Sequence, residues 1–295
     1  MLYASYLCLK PIRFSRSYRF VFTDLMHYLK FKLMRITYTI LLAACLMLIA
    51  CQNETAETAP QQQESQEIPD VILAAYDAST EFPDAKLNDF TYVDGKFAYA
   101  YDSDTYELGQ QTVDADTKMC ANSGKGQHIH FILDDAPYKA FYTAEFENKM
   151  EDGEYNLLSF LSRSYHESIK NGAAHLAKKV TFEGGKLTAS ENIEDAMLFY
   201  SRPKGTYTGD DAKKVMLDFF IVNTELSEVG NQVKVTVNGE EFAMISEWKP
   251  YFLENLPMGK NTVTLELVDA DGKTVDAPLN PVTREFDLMK AAPVE

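Results

Sequence analysis

Short stretches in which apolar and polar residues alternate run through residues 69–295, and Gly, Asn and Asp pairs separate them. A period of two residues puts alternate side chains on opposite faces of a strand and is typical of sheets with one buried face. Asp94-Gly95 and Asn238-Gly239 each stand between two such stretches and predict tight β-hairpins. No stretch beyond residue 68 keeps a 3.6-residue period. The pattern therefore predicts an all-β body.

An internal repeat divides this body in two. Residues 127–138 align with residues 231–242, and a second pair of segments matches further on, around Asp152-Gly153 and Met258-Gly259. Each unit holds about 100 residues of short strands, a length typical of the immunoglobulin-like sandwich. We expect two tandem immunoglobulin-like antiparallel β-sandwiches, over residues 69–186 and 187–295, with a linker within residues 184–194 that contains Gly184-Gly185 and Ser190-Glu191-Asn192.

The repeat also assigns strand faces. In the second unit the apolar positions, which should face the core, are Val233, Val235 and Val237. By register, the core positions of the first unit are Ile129, Phe131 and Leu133. The outer face of the first unit then carries His128, His130, Ile132, Leu158 and Phe160. An outer face that is half apolar indicates that something covers or binds it.

The first 50 residues form a leader of a different kind. They hold seven basic side chains and one acid, followed by an apolar run over residues 36–50 that ends at Cys51. This run of fifteen residues, interrupted only by Thr37 and Thr39, is short for a membrane span and typical of a secretory signal. Leu48-Ile49-Ala50-Cys51 resembles the lipobox of bacterial lipoproteins, which implies lipidation of Cys51. A second lipobox-like tetrapeptide, ending at Cys45, stays an alternative, and Met26 or Met34 would give a shorter leader.

A Gln-, Glu- and Thr-rich segment follows the lipobox. Residues 51–68 have no apolar period and cannot bury enough surface to fold, so we expect a disordered tether. The protein is then anchored to a membrane of the bacterial cell envelope through its lipid. Of the 28 basic and 44 acidic side chains, seven and one lie in residues 1–50, so the remainder carries a net charge of −22. Nucleic acid needs a positive surface and is excluded as a partner.

Three histidines form the candidate metal site. His128 and His130 share one strand face, and His166 follows a strand that we expect to neighbour theirs. Three imidazoles are a ligand set for zinc or copper, and Glu167 or Cys120 would be a further ligand. The alternative is a structural role, in which the histidines hydrogen-bond across the sheet and are buried with Leu158 and Phe160. His175 is expected in a loop, and Cys120 has no disulfide partner in the folded body.

Two polar segments are candidates for ligand binding. The first is Ser162–Lys170, which contributes Arg163, Tyr165 and Glu167. The second is the basic, aromatic loop Phe199–Tyr207, in which Arg202 would contact a carboxylate or a sugar. Its alternative interpretation is a turn that enters the second unit, because Pro203 restricts φ and Gly205 relieves the turn.

The motifs of the chain carry a family resemblance. Residues 126–130 (Gly-Gln-His-Ile-His), 161–168 (Leu-Ser-Arg-Ser-Tyr-His-Glu-Ser) and 200–207 resemble lipoproteins of unassigned function from Gram-negative bacteria. The first motif also resembles a bacterial immunoglobulin-like domain in which a Gly-x-His-x-His strand precedes a Pro-Gly-x-His strand. Here Glu154-Tyr155 stands where that second strand has its histidine. The resemblance implies fold and location more than activity.

Other functions find less support in the residues. Ser162-Arg163 and His166 followed by Asn171-Gly172 faintly resemble forkhead-associated domains, which implies phosphopeptide binding, but the histidine spacing is one residue too long. No nucleophile elbow or phosphate loop occurs, and no third group orients a Ser–His pair. We expect a non-enzymatic module that binds a metal or another small ligand, or else a structural lipoprotein that contacts an envelope protein.

Overall fold

The computed structural model describes residues 70–76, 78–118 and 120–292. The predicted leader, the lipidation site at Cys51 and the tether to residue 68 lie outside these residues. Helix is confined, in the described part of the chain, to two 3-10 turns at Ala115–Thr117 and Gly209–Ala212. None of the helices described is long and apolar enough to cross a bilayer.

The described residues form strands that follow one another along the chain. They are β1 (Ile72–Ala75), β2 (Lys86–Val93), β3 (Lys96–Asp102), β4 (His128–Leu133), β5 (Lys139–Phe141), β6 (Glu145–Glu147), β7 (Gly153–Ser162), β8 (His175–Glu183), β9 (Lys186–Asn192), β10 (Met197–Arg202), β11 (Gly205–Thr208), β12 (Lys214–Val222), β13 (Gln232–Val237), β14 (Glu240–Ile245), β15 (Tyr251–Glu254), β16 (Gly259–Val268) and β17 (Val282–Met289).

These strands build two sandwiches, which confirms the predicted fold class. The first consists of a three-stranded sheet in the order β2-β3-β6 and a five-stranded sheet in the order β5-β4-β7-β8-β9. The second consists of β1-β15-β12-β10 and β11-β17-β16-β13-β14. Strands pair antiparallel in both sandwiches, except that β11 runs parallel to β17. The predicted hairpin at Asp94-Gly95 joins β2 to β3, and both residues adopt the positive φ that such a turn requires.

Strand register supports the internal repeat. In the first sandwich His130 lies opposite Phe160 and Ile132 lies opposite Leu158. In the second sandwich Lys234 lies opposite Glu266 and Thr236 lies opposite Thr264. The pairs correspond one to one under the alignment read from the sequence. The two units therefore share a central antiparallel pair in the same register.

The boundary between the sandwiches differs from the predicted one. Gly184 and Gly185 both have positive φ and form the hairpin turn between β8 and β9, so they are not a linker. Strand β9 therefore extends the first sandwich to Asn192, beyond the predicted boundary at residue 186. Strand β1 lies in the predicted range of the first sandwich but pairs with β15 of the second. Residues 190–192 are thus part of a strand and not of a linker, and long-range pairing chose the sheet to which β1 and β9 each belong.

Each sandwich has its own apolar core, and a third cluster joins them. That cluster, called here the joint, contains buried residues of both sandwiches, principally Ile132, Leu158, Phe160, Met197, Phe199 and Phe220. Phe160 and Phe220 stack across it with their ring centroids 5.2 Å apart. The predicted outer face of the first unit is thus covered by β10 and β12 of the second. Both faces of β4 are consequently buried, and its two histidines are completely so.

Candidate metal centre

Three imidazole rings converge at the edge of the joint. His128 Nε2 lies 2.9 Å from His130 Nε2 and 3.0 Å from His166 Nδ1. One ligand nitrogen from each ring lies within 4.8 Å of the other two. His128 and His130 are fully buried, whereas His166 is half-buried and forms the side nearest to solvent. The three residues, called here the histidine triad, are the three that the sequence predicts as metal ligands.

The strand and the turn that carry the triad explain how it assembles. His128 and His130 are two residues apart in β4 and therefore share a face. His166 lies in a tight turn after β7, where the His166 amide donates to the Arg163 carbonyl at 2.9 Å. His166 has φ 69, a left-handed conformation that is uncommon for a residue with a side chain. The turn directs its ring back to His128.

Groups around the triad orient two of its rings. His128 Nδ1–H donates a hydrogen bond to the Gly126 carbonyl oxygen at 2.8 Å. The lone pair of His128 Nε2 therefore faces the other two histidines. Ser201 Oγ, from the second sandwich, lies 3.4 Å from His130 Nδ1. The Tyr138 ring stacks on His130 with 3.7 Å between centroids. Carbonyl and hydroxyl partners of this kind fix the tautomer of histidines that bind metals.

Hydrogen bonds alone do not satisfy the three nitrogens. His128 Nε2 has one in-plane lone pair, yet two ring nitrogens approach it within 3.0 Å. If His166 Nδ1 carries the proton that it donates to His128 Nε2, it cannot also accept a hydrogen bond from the Tyr138 hydroxyl, which lies 3.2 Å away. The His130 and His166 nitrogens therefore compete for the single lone pair of His128 Nε2. A cation bound to all three nitrogens removes the conflict, because each would use a lone pair.

The triad stays uncharged at neutral pH. Burial, together with the charge of Arg202, lowers the pKa of His128 to about 4. Burial also holds the His130 pKa well below its ordinary value, and burial with Arg202 does so for His166. Neutral imidazole is the form that ligates a metal. The Lys204 ammonium lies 3.7 Å from the Tyr138 ring centroid, and burial, Arg202 and Arg284 lower its pKa to about 8.

The predicted further ligands lie in other contacts. Glu167 forms a buried ion pair with Arg163 at 3.1 Å and accepts a short hydrogen bond from Ser79. The Cys120 thiol lies 3.4 Å from the Tyr76 hydroxyl, within a separate small apolar cluster. His175 is the first residue of β8 and not a loop residue, and its ring packs 4.7 Å from Phe220. The triad does not include any of these three side chains.

The Ser162–Lys170 segment ties the two sandwiches together. Arg163 also donates to the Thr80 carbonyl at 2.8 Å, and the Tyr165 hydroxyl donates to Asp114 at 3.1 Å. Lys170 forms an ion pair with Asp218 of β12 at 2.6 Å, and the Asp218 side chain is fully buried. Arg163, Tyr165 and Glu167, predicted as ligand-binding residues, are therefore buried and engaged with the protein itself. A forkhead-like phosphate site would need the donors that Arg163 already uses.

Arg202, the fourth predicted ligand-binding residue, is placed differently. It ends β10 at a β-bulge next to Ser201, so it lies beside the triad and is buried. The sequence analysis did not identify two residues that contact the triad: Ser201, at the end of β10, and Tyr138, which directly precedes β5. Tyr138 aligns with Phe242 in the repeat, and that aromatic match is the only signal the sequence offered for it.

Comparisons with known proteins returned structures and no sequence relatives. No protein-family model and no curated protein matches the chain. Fibronectin(III)-like modules of Clostridium thermocellum CbhA are similar with TM-score 0.26 and 14% identity, covering 32% of this chain and 100% of theirs. The central fibronectin-III array of RIM-binding protein has TM-score 0.25 and 10% identity, covering 74% of this chain and 73% of that array. The FN1-FN3 domains of chicken CNTN1 have TM-score 0.23 and 11% identity, covering 73% of this chain and 68% of theirs.

Proposed function

We propose that this protein is a non-enzymatic, lipid-anchored module of the bacterial cell envelope that binds one zinc or copper ion at the histidine triad. One observation carries the proposal: His128 Nε2, with its Nδ1 held by the Gly126 carbonyl, faces His130 Nε2 at 2.9 Å and His166 Nδ1 at 3.0 Å. A small borderline cation is the ligand that such a nitrogen set selects.

Two of the three nitrogen separations suit a tetrahedral ion after a small relaxation. Zn–N bonds of about 2.0–2.1 Å put two ligand nitrogens about 3.3 Å apart in a tetrahedron. The two separations that involve His128, 2.9 and 3.0 Å, are shorter by a few tenths of an ångström, and the His130 and His166 nitrogens lie within 4.8 Å of each other. An ion between the rings would push the two close pairs apart by that amount. The fourth position would face the half-buried side at His166, where a small ligand can approach.

Neither of the two serines near the triad is placed to act as the nucleophile of a hydrolase. The Ser162 hydroxyl donates to the carbonyls of Arg163 and Glu167, and not to a histidine. Ser201 does approach His130, but Ser201 is 1% exposed and cannot meet a substrate. A serine nucleophile needs an accessible hydroxyl with an oriented base. The proposed activity is therefore binding, and serine-based hydrolysis has no support from these residues.

Metal content and metal titration test the proposal. The full chain is purified in detergent without a histidine tag, and its metal content is determined by elemental analysis. The His128→Ala/His130→Ala variant is analysed in the same way. His175→Ala is the control for the loss of a half-buried histidine outside the triad. We expect one zinc or copper per chain in the wild type and in the control, and none in the double variant. A wild-type protein that holds no metal and takes up neither ion on titration would refute the metal function.

The structural alternative has its own supporting observation. Ser201 of the second sandwich contacts His130 of the triad, and the triad lies beside the joint, in which Leu158 and Phe160 are buried. In that case the histidines fill space between the sandwiches. Zinc or copper would then leave the thermal unfolding temperature unchanged, and an envelope protein would be the partner to seek.

The lipid anchor needs a separate test, because Cys51 lies outside the described residues. Cells are grown with radiolabelled palmitate and express the wild type, Cys51→Ser or Cys45→Ser. We expect label in the wild type and in Cys45→Ser, and none in Cys51→Ser. Loss of label only in Cys45→Ser would move the anchor to that residue.

A further inference from the structure

Arg202 is a buried cation that no carboxylate neutralises within the described residues. Its side chain is 6% exposed, its Nε atom has no hydrogen-bond partner, and it takes part in none of the ion pairs of the described residues. The nearest acid in the strand register is Asp218, which lies opposite Arg202 in β12. The Asp218 carboxylate is already held by Lys170 at 2.6 Å and by the Ser168 hydroxyl at 3.0 Å.

The Tyr207 side chain does not replace an anion. Its ring centroid lies 5.5 Å from the Arg202 guanidinium carbon, and its hydroxyl is a hydrogen-bond partner of that group. A ring covers a guanidinium face, and one hydroxyl accepts at one edge position. An arginine side chain has five in-plane N–H donors, and the one at Arg202 Nε lacks an acceptor.

A second cation stands on the same side. Lys204 follows Arg202 by two residues, and its ammonium donates to the Tyr138 carbonyl at 2.7 Å while lying over the Tyr138 ring. Tyr138 in turn stacks on His130. The turn Arg202–Lys204 therefore places two positive charges against the histidine triad. On a chain with net charge −16, this local excess of positive charge runs against the overall charge.

The physical cost of this arrangement points to an absent partner. A buried charge without a counter-charge is strongly unfavourable, and a dication bound at the triad would increase the local positive charge. The guanidinium fork matches the paired oxygens of a carboxylate or a phosphate. We infer that the Arg202–Lys204 turn and the half-buried side of the histidine triad at His166 bind a small oxyanion, of the carboxylate or phosphate class. With metal bound, one oxygen of the anion would take the fourth coordination position.

This anion site lies beside the triad and is testable without the metal. The full chain in detergent is stripped with a chelator and dialysed against radiolabelled inorganic phosphate, with acetate as a second probe. The variants are Arg202→Gln and Lys204→Gln. Lys260→Gln is the matched control, because Lys260 is an exposed lysine paired with Glu285 on the second sandwich.

We expect saturable binding of at least one of the two anions, weakened about tenfold or more in Arg202→Gln and Lys204→Gln and unchanged in Lys260→Gln. Thermal unfolding shows whether each variant is folded. The same anion should raise the unfolding temperature of the wild type and leave that of Arg202→Met unchanged. Equal, non-saturating uptake by all variants would overturn the inference, as would uptake of neither anion by metal-free and zinc-loaded protein.

The His128→Ala/His130→Ala variant separates this inference from the metal function. Anion binding that persists in the variant and in a wild type free of metal supports the anion site, even if the metal function fails. Zinc binding by a wild type that takes up no anion leaves the metal function in place and refutes the anion site. The preferred probe, phosphate or acetate, identifies which class of oxyanion the site takes.

Discussion

Lys234 and Glu266 form an ion pair at 2.5 Å on the outer face of the second sandwich, at the positions that His130 and Phe160 occupy in the first. The two residue pairs share the same strand register, but one is an ion pair and the other consists of a neutral imidazole and an aromatic ring. The second sandwich leaves this face to solvent, so charge is tolerated there. The first covers it with β10 and β12, so a fully buried ring replaces the acid and a neutral imidazole replaces the lysine.

This difference predicts unequal costs of truncation at equivalent positions. Phe160→Ala removes a fully buried ring that stacks on Phe220, and we expect a loss of about 3–5 kcal/mol in the free energy of unfolding. Glu266→Ala removes a partly exposed pair partner and should cost about 1 kcal/mol or less. Urea unfolding of both variants measures the contrast. Similar costs would mean that the joint contributes little to stability.

The ion pair between Lys170 and the buried Asp218 should be far more sensitive to truncation than an exposed ion pair. Asp218→Ala leaves Lys170 without its carboxylate in a buried position, with an expected cost of about 3–5 kcal/mol. Glu285→Ala breaks the exposed Lys260 pair and should cost about 1 kcal/mol or less. Urea denaturation again provides the measurement. A small effect of Asp218→Ala would show that Lys170 reaches solvent when released.

Gly126 should be essential to the geometry of the site, and Gly124 should not. Gly126 has φ +87, and a Cβ there would lie 2.5 Å from the Gln110 carbonyl oxygen, whereas a Cβ at Gly124 would meet no atom within 4 Å. Gly126→Ala should therefore destabilise the fold and displace the carbonyl that orients His128. We expect weaker zinc binding by calorimetry in Gly126→Ala and wild-type affinity in Gly124→Ala. Equal affinities would contradict the orienting role of this carbonyl.

The metal-free protein should lose stability in mild acid through its histidines. Because the folded His128 pKa is about 4 and an unfolded histidine titrates near 6.5, the unfolded chain binds more protons between these values. The free energy of unfolding therefore falls as pH drops below about 6.5, and His128 alone accounts for about 3 kcal/mol by pH 4.

Urea unfolding of the chelator-treated protein at about pH 7 and about pH 4.5, compared with His128→Gln, isolates this contribution from the titration of the many carboxylates. We expect a smaller acid-induced loss in the variant. The same loss in both proteins would indicate that His128 is protonated in the folded state at the lower pH.

Much of the fold and part of the site followed from local pattern. Strand periodicity and the repeat assigned Ile129 and Phe131 to the core and His128 and His130 to the opposite face, because side-chain direction alternates along any strand. Positive-φ pairs such as Asp94-Gly95 marked hairpins, because few residues tolerate that backbone conformation. The sequence by itself thus determined the central strands β4, β7, β13 and β16, their faces, and the two histidines that share one of those faces.

Only the tertiary structure decided what those faces meet. The bulge that puts Ser201 and Arg202 beside the triad, the left-handed turn that returns His166 to His128, and the pairing of β1 with the second sandwich all join residues distant in the chain. Their free energy comes from burying apolar surface and pairing buried polar groups between the two sandwiches, and such contacts leave no periodic trace in the sequence.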